Sequence, residues 1–182
     1  ANELLATDHP VVTSGDATKD IQKVPEWIIP WLQKSFIKKE FNNEKKNKIY
    51  IDRDELNLSK KPIRYIQNEE EVRKFLAENN FIFLNLEKMK FIDQVKMFYN
   101  AECVVGLHGA GLANLAFCRP ESKVVELRSS GAGPVCENYG KSNKLNYFSL
   151  ISEAKKLTNQ NFKNQQGSIE VSINSLNKIL NN

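Results

Sequence analysis

Two apolar runs flank a glycine-rich turn in residues 103–127, CVVGLHGAGLANLAFCRPESKVVEL, and the fold can be inferred outward from this segment. Val104 and Val105 predict a buried strand, glycines then interrupt the pattern, and Leu112 starts an apolar stripe at helical spacing. This order leaves free backbone N–H groups at a helix N-terminus, where glycines let a ligand approach closely. The residues expected to cradle an anion such as a nucleotide diphosphate are Gly109, Ala110, Gly111 and Leu112. A tight turn that serves only packing is the alternative.

The composition is that of an ordinary globular protein. The chain has 182 residues, of which 41% are hydrophobic and 26% are charged, which is enough for one domain with a core. No apolar run reaches membrane-spanning length, and no secretory signal is present, so we predict a cytoplasmic protein. The chain begins at Ala1 rather than Met, and we therefore expect a piece of a longer protein.

The net charge is +4, and much of it comes from lysines between Lys38 and Lys61. These lysines are not regularly interleaved with aromatic residues, so we predict no nucleic-acid partner. A solvated linker and a peripheral contact with an anionic membrane both remain open. The three cysteines form no C-x-x-C pair, and no His or Asp cluster has the spacing of metal ligands. We predict reduced thiols, no metal and no cofactor.

Residues 1–46 differ from the rest of the chain. A short amphipathic helix is predicted near residues 27–36, inside a connecting arm that packs on a neighbour. Residues 47–182 form the predicted domain, with strands at 49–51, 81–86, 102–107, 123–127 and 147–151. Asn68 and Asn174 are predicted to cap helices, residues 169–173 to form a short edge strand, and residues 154–167 to form an exposed loop.

Strands that alternate with helices imply right-handed β-α-β units and hence an α/β fold. The fold class is a Rossmann-like, doubly wound parallel sheet. In such sheets ligands bind beyond the carboxyl ends of the strands. This rule places Arg53, His108 and Arg128 along one edge, although they are far apart in sequence.

Five side chains are candidates for chemistry at this edge. His108 can donate to a phosphate or take a proton from an attacking hydroxyl. Arg53 and Arg64 suit a phosphate, or alternatively pair with nearby carboxylates on the surface. Glu126 lies in an apolar strand and accepts from ribose hydroxyls or pairs with a buried base. Asn114 reaches either the ligand or only the backbone.

Two common nucleotide enzymes are disfavoured. The turn has no Gly-x-Gly-x-x-Gly pattern, and no acidic residue follows the second strand as it does in dinucleotide-binding domains. No P-loop lysine follows the glycines. A dehydrogenase and an ATPase are therefore not expected.

Several motifs resemble one known family when they are read in order. Residues 106–117 with residues 120–127 resemble the signature of glycosyltransferase family 61. The segment Tyr50-Ile51-Asp52-Arg53 resembles the family's Tyr-x-x-Arg strand. Residues 64–72 resemble its Arg-x-Ile-x-Asn-Glu helix entry, and residues 91–95 resemble its Phe-x-x-Gln helix. The resemblance extends from about residue 48 to residue 150.

The resemblance implies a GT-B enzyme, in which a nucleotide-sugar lies between two Rossmann-like domains, and inverting transfer without a required metal. Arg53, Arg64, His108 and the Gly109–Gly111 backbone would hold the donor, and Glu126 would contact the nucleoside. The chain has room for one such domain. It is therefore expected to be the donor-binding half, in which residues 1–46 are an arm or a remnant of the acceptor domain.

The function expected from the resemblance is glycosyl transfer in surface or capsular polysaccharide biosynthesis. Its partners would be a nucleotide-sugar donor and a glycan acceptor, with peripheral contact to membrane or polysaccharide-assembly proteins. The alternative is a non-catalytic nucleotide-binding or scaffolding module in polysaccharide assembly.

Overall fold

The computed structural model describes residues 24–42, 46–53, 64–154 and 167–181. The strands in these ranges are β1 (Asn47–Asp52), β2 (Arg64–Ile66), β3 (Phe81–Asn85), β4 (Ala101–Leu107), β5 (Lys123–Ser129), β6 (Asn146–Ser152) and β7 (Gly167–Ile169). The α-helices are α1 (Ile28–Phe36), α2 (Glu69–Glu78), α3 (Phe91–Tyr99), α4 (Val135–Ser142) and α5 (Ile173–Asn181). A 3₁₀ segment, Ala110–Phe117, follows β4.

The central sheet has five parallel strands in the order β3-β1-β4-β5-β6. Strands β2 and β7 form a separate parallel pair. After β1 the chain builds β3 on one side of it and then β4, β5 and β6 on the other. The direction of winding therefore reverses between β1 and β4, which is where doubly wound sheets bind ligands. The predicted Rossmann-like α/β fold is confirmed.

Apolar side chains cover both faces of the central sheet. On one face, Val104 and Val124 pack with residues of α3 and the 3₁₀ segment, and α1 and α4 add partly buried contacts. On the other face, Val105 and Val125 pack against α2, α5 and the small β2–β7 sheet. Both faces are buried because parallel strands are covered by their own crossover elements.

The five predicted central strands are all present, whereas several local predictions were wrong. The edge strand predicted at residues 169–173 ends at Ile169, because Ile173 already begins α5. Asn174 therefore lies inside α5, and the hydroxyl of Ser172 accepts from the N–H of Ser175 instead. The helix expected after the glycine turn is the tighter 3₁₀ segment. The loop predicted at residues 154–167 lies almost wholly outside the described residues.

Asn68 also does not cap α2 with its side chain. Its Oδ1 accepts from the N–H of Val171, and its Nδ2 donates to the carbonyl of Val171, both at 2.9 Å. The side chain is thus occupied in tying the start of α2 to the segment before α5. Tertiary pairing takes the atoms that a local cap would need.

Helix α1 packs on the domain through its polar and aromatic side chains. Gln33 donates from Nε2 to the carbonyl of Ala116 at 2.8 Å. Phe36 makes edge-to-face contacts with Phe91 and Phe117. No helix in the described ranges combines the length and the apolar content needed to cross a bilayer.

Candidate functional site

The chain turns sharply where β4 ends. The N–H of His108 donates to the carbonyl of Leu127 at 2.8 Å, so His108 still pairs with β5. Gly109 then adopts φ 153° and ψ −173°, a conformation that is almost restricted to glycine. A Cβ at Gly109 would also overlap Nη2 of Arg53. The backbone conformation therefore requires glycine here, and a side chain at this position would displace the guanidinium of Arg53.

Two arginines from different strands meet at this turn. Arg53, which follows β1, donates from Nη2 to the carbonyl of His108 at 3.1 Å. Arg64, the first residue of β2, donates from Nη1 to the same oxygen at 2.9 Å. The structure thus brings three predicted site residues to one point. The two guanidinium groups concentrate positive charge beside the glycine turn, and each is a forked donor suited to phosphate.

The 3₁₀ segment presents main-chain donors at its start. The N–H groups of Ala110 and Gly111 donate to no main-chain carbonyl of the described residues. The N–H of Leu112 is used, because it donates to the carbonyl of Gly109 at 3.0 Å, and the Leu112 side chain is buried in the core. Two main-chain donors next to two guanidinium groups form a binding geometry for an anion.

His108 and Glu126 form a buried pair. Nδ1 of His108 lies 2.5 Å from Oε1 of Glu126, whose side chain is completely buried in β5. The other ring nitrogen, Nε2, bonds to no residue in the described ranges, and it is not a buried atom. Nε2 therefore retains contact with solvent. The sequence left two alternatives for Glu126, a contact with ribose hydroxyls or a pairing with a buried base. In the structure Glu126 pairs with His108 and Arg128.

The second oxygen of Glu126 is surrounded by donors. Nε of Arg128 lies 3.7 Å from Oε2, and the hydroxyl of Ser149 lies 3.5 Å from it. The same guanidinium donates from Nη1 to the carbonyls of Ala132 and Gly133, each at 3.0 Å. Arg128 thus neutralises the buried carboxylate and holds the loop after β5. Burial raises the pKa of the Tyr147 hydroxyl, and the negative charge of Glu126 adds to this rise.

Cys136 on α4 completes the cluster. Its Sγ lies 3.7 Å from Nδ1 of His108. Burial raises the pKa of the Cys136 thiol to about 12, and the negative charge of Glu126 adds to this rise. The thiol is therefore protonated at neutral pH.

His108, Glu126 and Cys136 are also residue types that bind zinc. Their ligand atoms lie within 4.8 Å of one another, which linear spacing in the sequence did not indicate. A metal bound there would have to displace the proton of the Cys136 thiol and break the His108–Glu126 contact. It would also lie beside the guanidinium of Arg128, whose positive charge opposes a second cation.

Asn114 contacts a neighbouring helix. Its Nδ2 donates to Oε1 of Gln94 on α3 at 3.1 Å. Gln94 in turn donates to the carbonyls of Leu86 and Met89. Asn114 therefore ties the 3₁₀ segment to α3. Of the carboxylates near Arg53 in the sequence, Asp52 forms an ion pair with Arg73 on α2 at 2.5 Å.

Sequence reasoning missed the roles of Cys136 and Ser149 in this cluster. Neither residue belongs to a local motif, because each reaches Glu126 or His108 through strand register or helix placement. The register pairs Glu126 with Ser149 on β6 and with Gly106 on β4. An assumed parallel register for these strands would have placed Ser149 beside Glu126.

Comparisons with known proteins give one family match. The family model described as Glycosyltransferase 61 matches residues 6–125 of the 182-residue chain, which is more than half of it. The match includes Arg53, Arg64 and the whole glycine turn. A search of curated proteins found no match.

Proposed function

The chain belongs to glycosyltransferase family 61, and from this premise we propose that it binds a nucleotide-sugar donor for inverting glycosyl transfer. The observation that carries the proposal is the convergence of Arg53 and Arg64 on the His108 turn. This convergence lies at the reversal point of a doubly wound sheet. In the proposal, residues 47–182 are the donor-binding half of a GT-B enzyme. Residues 1–46 are a connecting arm or a remnant of the acceptor domain.

The donor diphosphate is proposed to bind against the start of the 3₁₀ segment. The main-chain N–H groups of Ala110 and Gly111 are available there, and the guanidinium groups of Arg53 and Arg64 lie next to them. Charge-assisted hydrogen bonds to an anion are stronger than neutral ones, and they strengthen further as charge develops on a leaving group. The same groups would therefore bind the donor and stabilise the departing diphosphate.

The proposed reaction is a single displacement at the anomeric carbon of the donor sugar. The acceptor hydroxyl oxygen forms the new bond to this carbon from the face opposite the diphosphate. The bond between the carbon and the diphosphate oxygen breaks, and its electron pair leaves with the diphosphate. The hydroxyl proton passes to a base. His108 is the catalytic residue in this proposal, because its Nε2 is the accessible imidazole nitrogen beside the anion site.

We propose that the reaction requires no metal and no other cofactor. Divalent cations commonly neutralise a leaving diphosphate, and here Arg53, Arg64 and the main-chain donors would supply that charge stabilisation. The proposed setting is surface or capsular polysaccharide biosynthesis, with a glycan acceptor. The protein is proposed to work in the cytoplasm, with peripheral contact to the membrane or to assembly proteins.

Calorimetric titration with UDP, GDP, CDP and ADP tests the donor site. One diphosphate should bind, and Arg53→Ala should weaken it by roughly 10- to 100-fold, because a hydrogen bond to a charged group contributes about 1.5–3 kcal/mol. His108→Ala should weaken it less.

Arg119→Ala is the matched control. Arg119 is bonded to Asn42 and Asn100 and stacks over Tyr99, away from the turn. Each titration is repeated with EDTA, which should change nothing. Binding that survives Arg53→Ala unchanged, or no binding of any diphosphate, would overturn the proposed donor site. Binding without any transfer by the complete enzyme would favour the non-catalytic module.

A further inference from the structure

We propose that Glu126 is a positioning residue that fixes the tautomer of His108, so that His108 acts as the general base through Nε2. This inference rests on the proposed transfer reaction and deepens it, because the identity of the base is otherwise open. Glu126 does not touch the substrate in this proposal. It acts through the 2.5 Å contact between its Oε1 and Nδ1 of His108.

Burial keeps Glu126 away from any ligand. Its side chain has no exposed surface, whereas 8% of the His108 side chain is exposed. A carboxylate in this position cannot reach a ribose in the crevice without a rearrangement of β5. Its only route to the reaction is through its neighbours, and the shortest of these contacts is to His108.

The surroundings of Glu126 make it a hydrogen-bond acceptor. Its Oε2 faces Nε of Arg128 and the hydroxyl of Ser149, which are both donors. The nearby thiol of Cys136 is protonated at neutral pH, because burial raises its pKa to about 12. Arg53 and Arg64 add two further positive charges at the carbonyl of His108. An ionised Glu126 can only accept, so the proton between Oε1 and Nδ1 belongs to His108.

The position of this proton decides what Nε2 can do. A neutral imidazole with its proton on Nδ1 has a lone pair on Nε2. Because Nε2 is the nitrogen that retains contact with solvent, it can accept the proton of the acceptor hydroxyl. The proton stays on Nε2 of the imidazolium, and the negative charge of Glu126 stabilises that cation. The N–H of His108 bonded to Leu127 holds the backbone beneath the ring.

Nuclear magnetic resonance of protein labelled with ¹⁵N-histidine tests the tautomer directly. The chain has two histidines, so a His9→Gln variant assigns the remaining signals to His108. At neutral pH we expect a protonated Nδ1 and an unprotonated Nε2. Glu126→Gln should abolish this preference, because a carboxamide can either donate to Nδ1 or accept from it. Glu126→Asp should restore it in part.

Glu137→Gln is the matched control for the loss of a carboxylate. Glu137 also pairs with Arg128, at 3.6 Å, but it does not contact His108. This variant should leave the His108 tautomer unchanged. A proton on Nε2 instead of Nδ1 in the unaltered protein would overturn the inference, and so would a pattern that Glu126→Gln leaves unchanged. An imidazolium throughout the neutral range would overturn the role as base.

Kinetics of the complete enzyme with its donor then separate positioning from binding. Glu126→Gln should lower kcat by about 10²- to 10⁴-fold, the usual contribution of general base catalysis, with little change in KM. Its affinity for nucleoside diphosphates should be unchanged, which a collapsed site would not permit. A rise in KM of the same size, without a fall in kcat, would contradict the positioning role of Glu126. If no diphosphate binds at all, the proposed function fails, but the tautomer measurement still reports on Glu126.

Discussion

The amino edge of the central sheet, where its strands begin, and the carboxyl edge, where they end, differ in how they use charged side chains. At the amino edge, a cavity of about 270 Å³ is lined by Lys48, Lys123 and Glu102, among others. At the carboxyl edge, the cavity beside Arg53 measures only about 10 Å³. Among the cavities lined by residues that the structure describes, size would favour the amino edge, whereas topology and the buried charges favour the carboxyl edge.

At the amino edge, Lys123 has structural partners. Nζ of Lys123 donates to the carbonyls of Ile179 and Leu180, both at 3.1 Å, near the C-terminal end of α5. A cation stabilises the last turn of a helix in this way. At the carboxyl edge, by contrast, Glu126 is completely buried, and desolvation of such a charge is costly. The proposed donor site therefore lies at the edge that has the buried, closely paired charges and not at the edge that has the larger open volume.

The largest expected effect concerns the stability of this buried cluster. Glu126→Ala should lower the free energy of unfolding by about 3–5 kcal/mol, because it leaves Arg128 without its buried carboxylate. Lys123→Met, at the amino edge, should cost only about 1 kcal/mol, because it removes hydrogen bonds to carbonyls at a partly exposed helix end. Urea denaturation of both variants gives the comparison. Equal losses would mean that the two edges are equally structural.

A second prediction concerns the glycine turn itself. Gly109→Ala should cost about 1–3 kcal/mol of stability, because the backbone conformation is strained for alanine and the new Cβ would overlap Arg53. The variant should also weaken diphosphate binding. Gly133→Ala is the matched control, because a Cβ there has nothing within 4 Å. Thermal unfolding and calorimetry of both variants measure the difference, and a stable, fully binding Gly109→Ala protein would contradict the assigned role of this turn.

Much of the fold could be predicted from the sequence, because buried parallel strands read as short apolar runs between turn residues. The five central strands were found in this way. The small β2–β7 sheet was harder to predict from the sequence, since its three-residue strands pair across a separation of about 100 residues. Asn68 shows the limit of local rules. Its sequence context favours a helix cap, but its side chain hydrogen-bonds to the backbone of Val171 instead.

The site could be predicted in part. The rule for the carboxyl ends of parallel strands placed Arg53 and His108 at one edge, and they are in contact there. The pairing of His108 with Glu126 could not be derived from periodicity, because it depends on strand register and on the turn conformation at Gly109. Cys136 reaches the pair only because α4 packs against β6 and the 3₁₀ segment. Its position depends on the loop that Arg128 holds.

The smallest predicted effect compares one thiol at each edge. Burial raises the pKa of Cys103, which lines the amino-edge cavity, to about 11 and that of Cys136 to about 12. Above about pH 9 the unfolded chain loses these thiol protons while the folded protein keeps them, so the free energy of unfolding falls as pH rises. From pH 8 to pH 10 each thiol should account for a loss of about 1.5 kcal/mol.

Urea denaturation at both pH values, under reducing conditions, measures this loss. Cys103→Ser and Cys136→Ser should each make the drop smaller by about 1.5 kcal/mol, because serine does not ionise in this range. The contributions of the two thiols to this loss should then respond differently to Glu126→Gln. This change removes the charge that helps to raise the pKa of Cys136, so it should lessen the thiol's contribution at the carboxyl edge and leave that of Cys103 unchanged. If Glu126→Gln altered neither contribution, the coupling between Cys136 and the buried carboxylate would be absent.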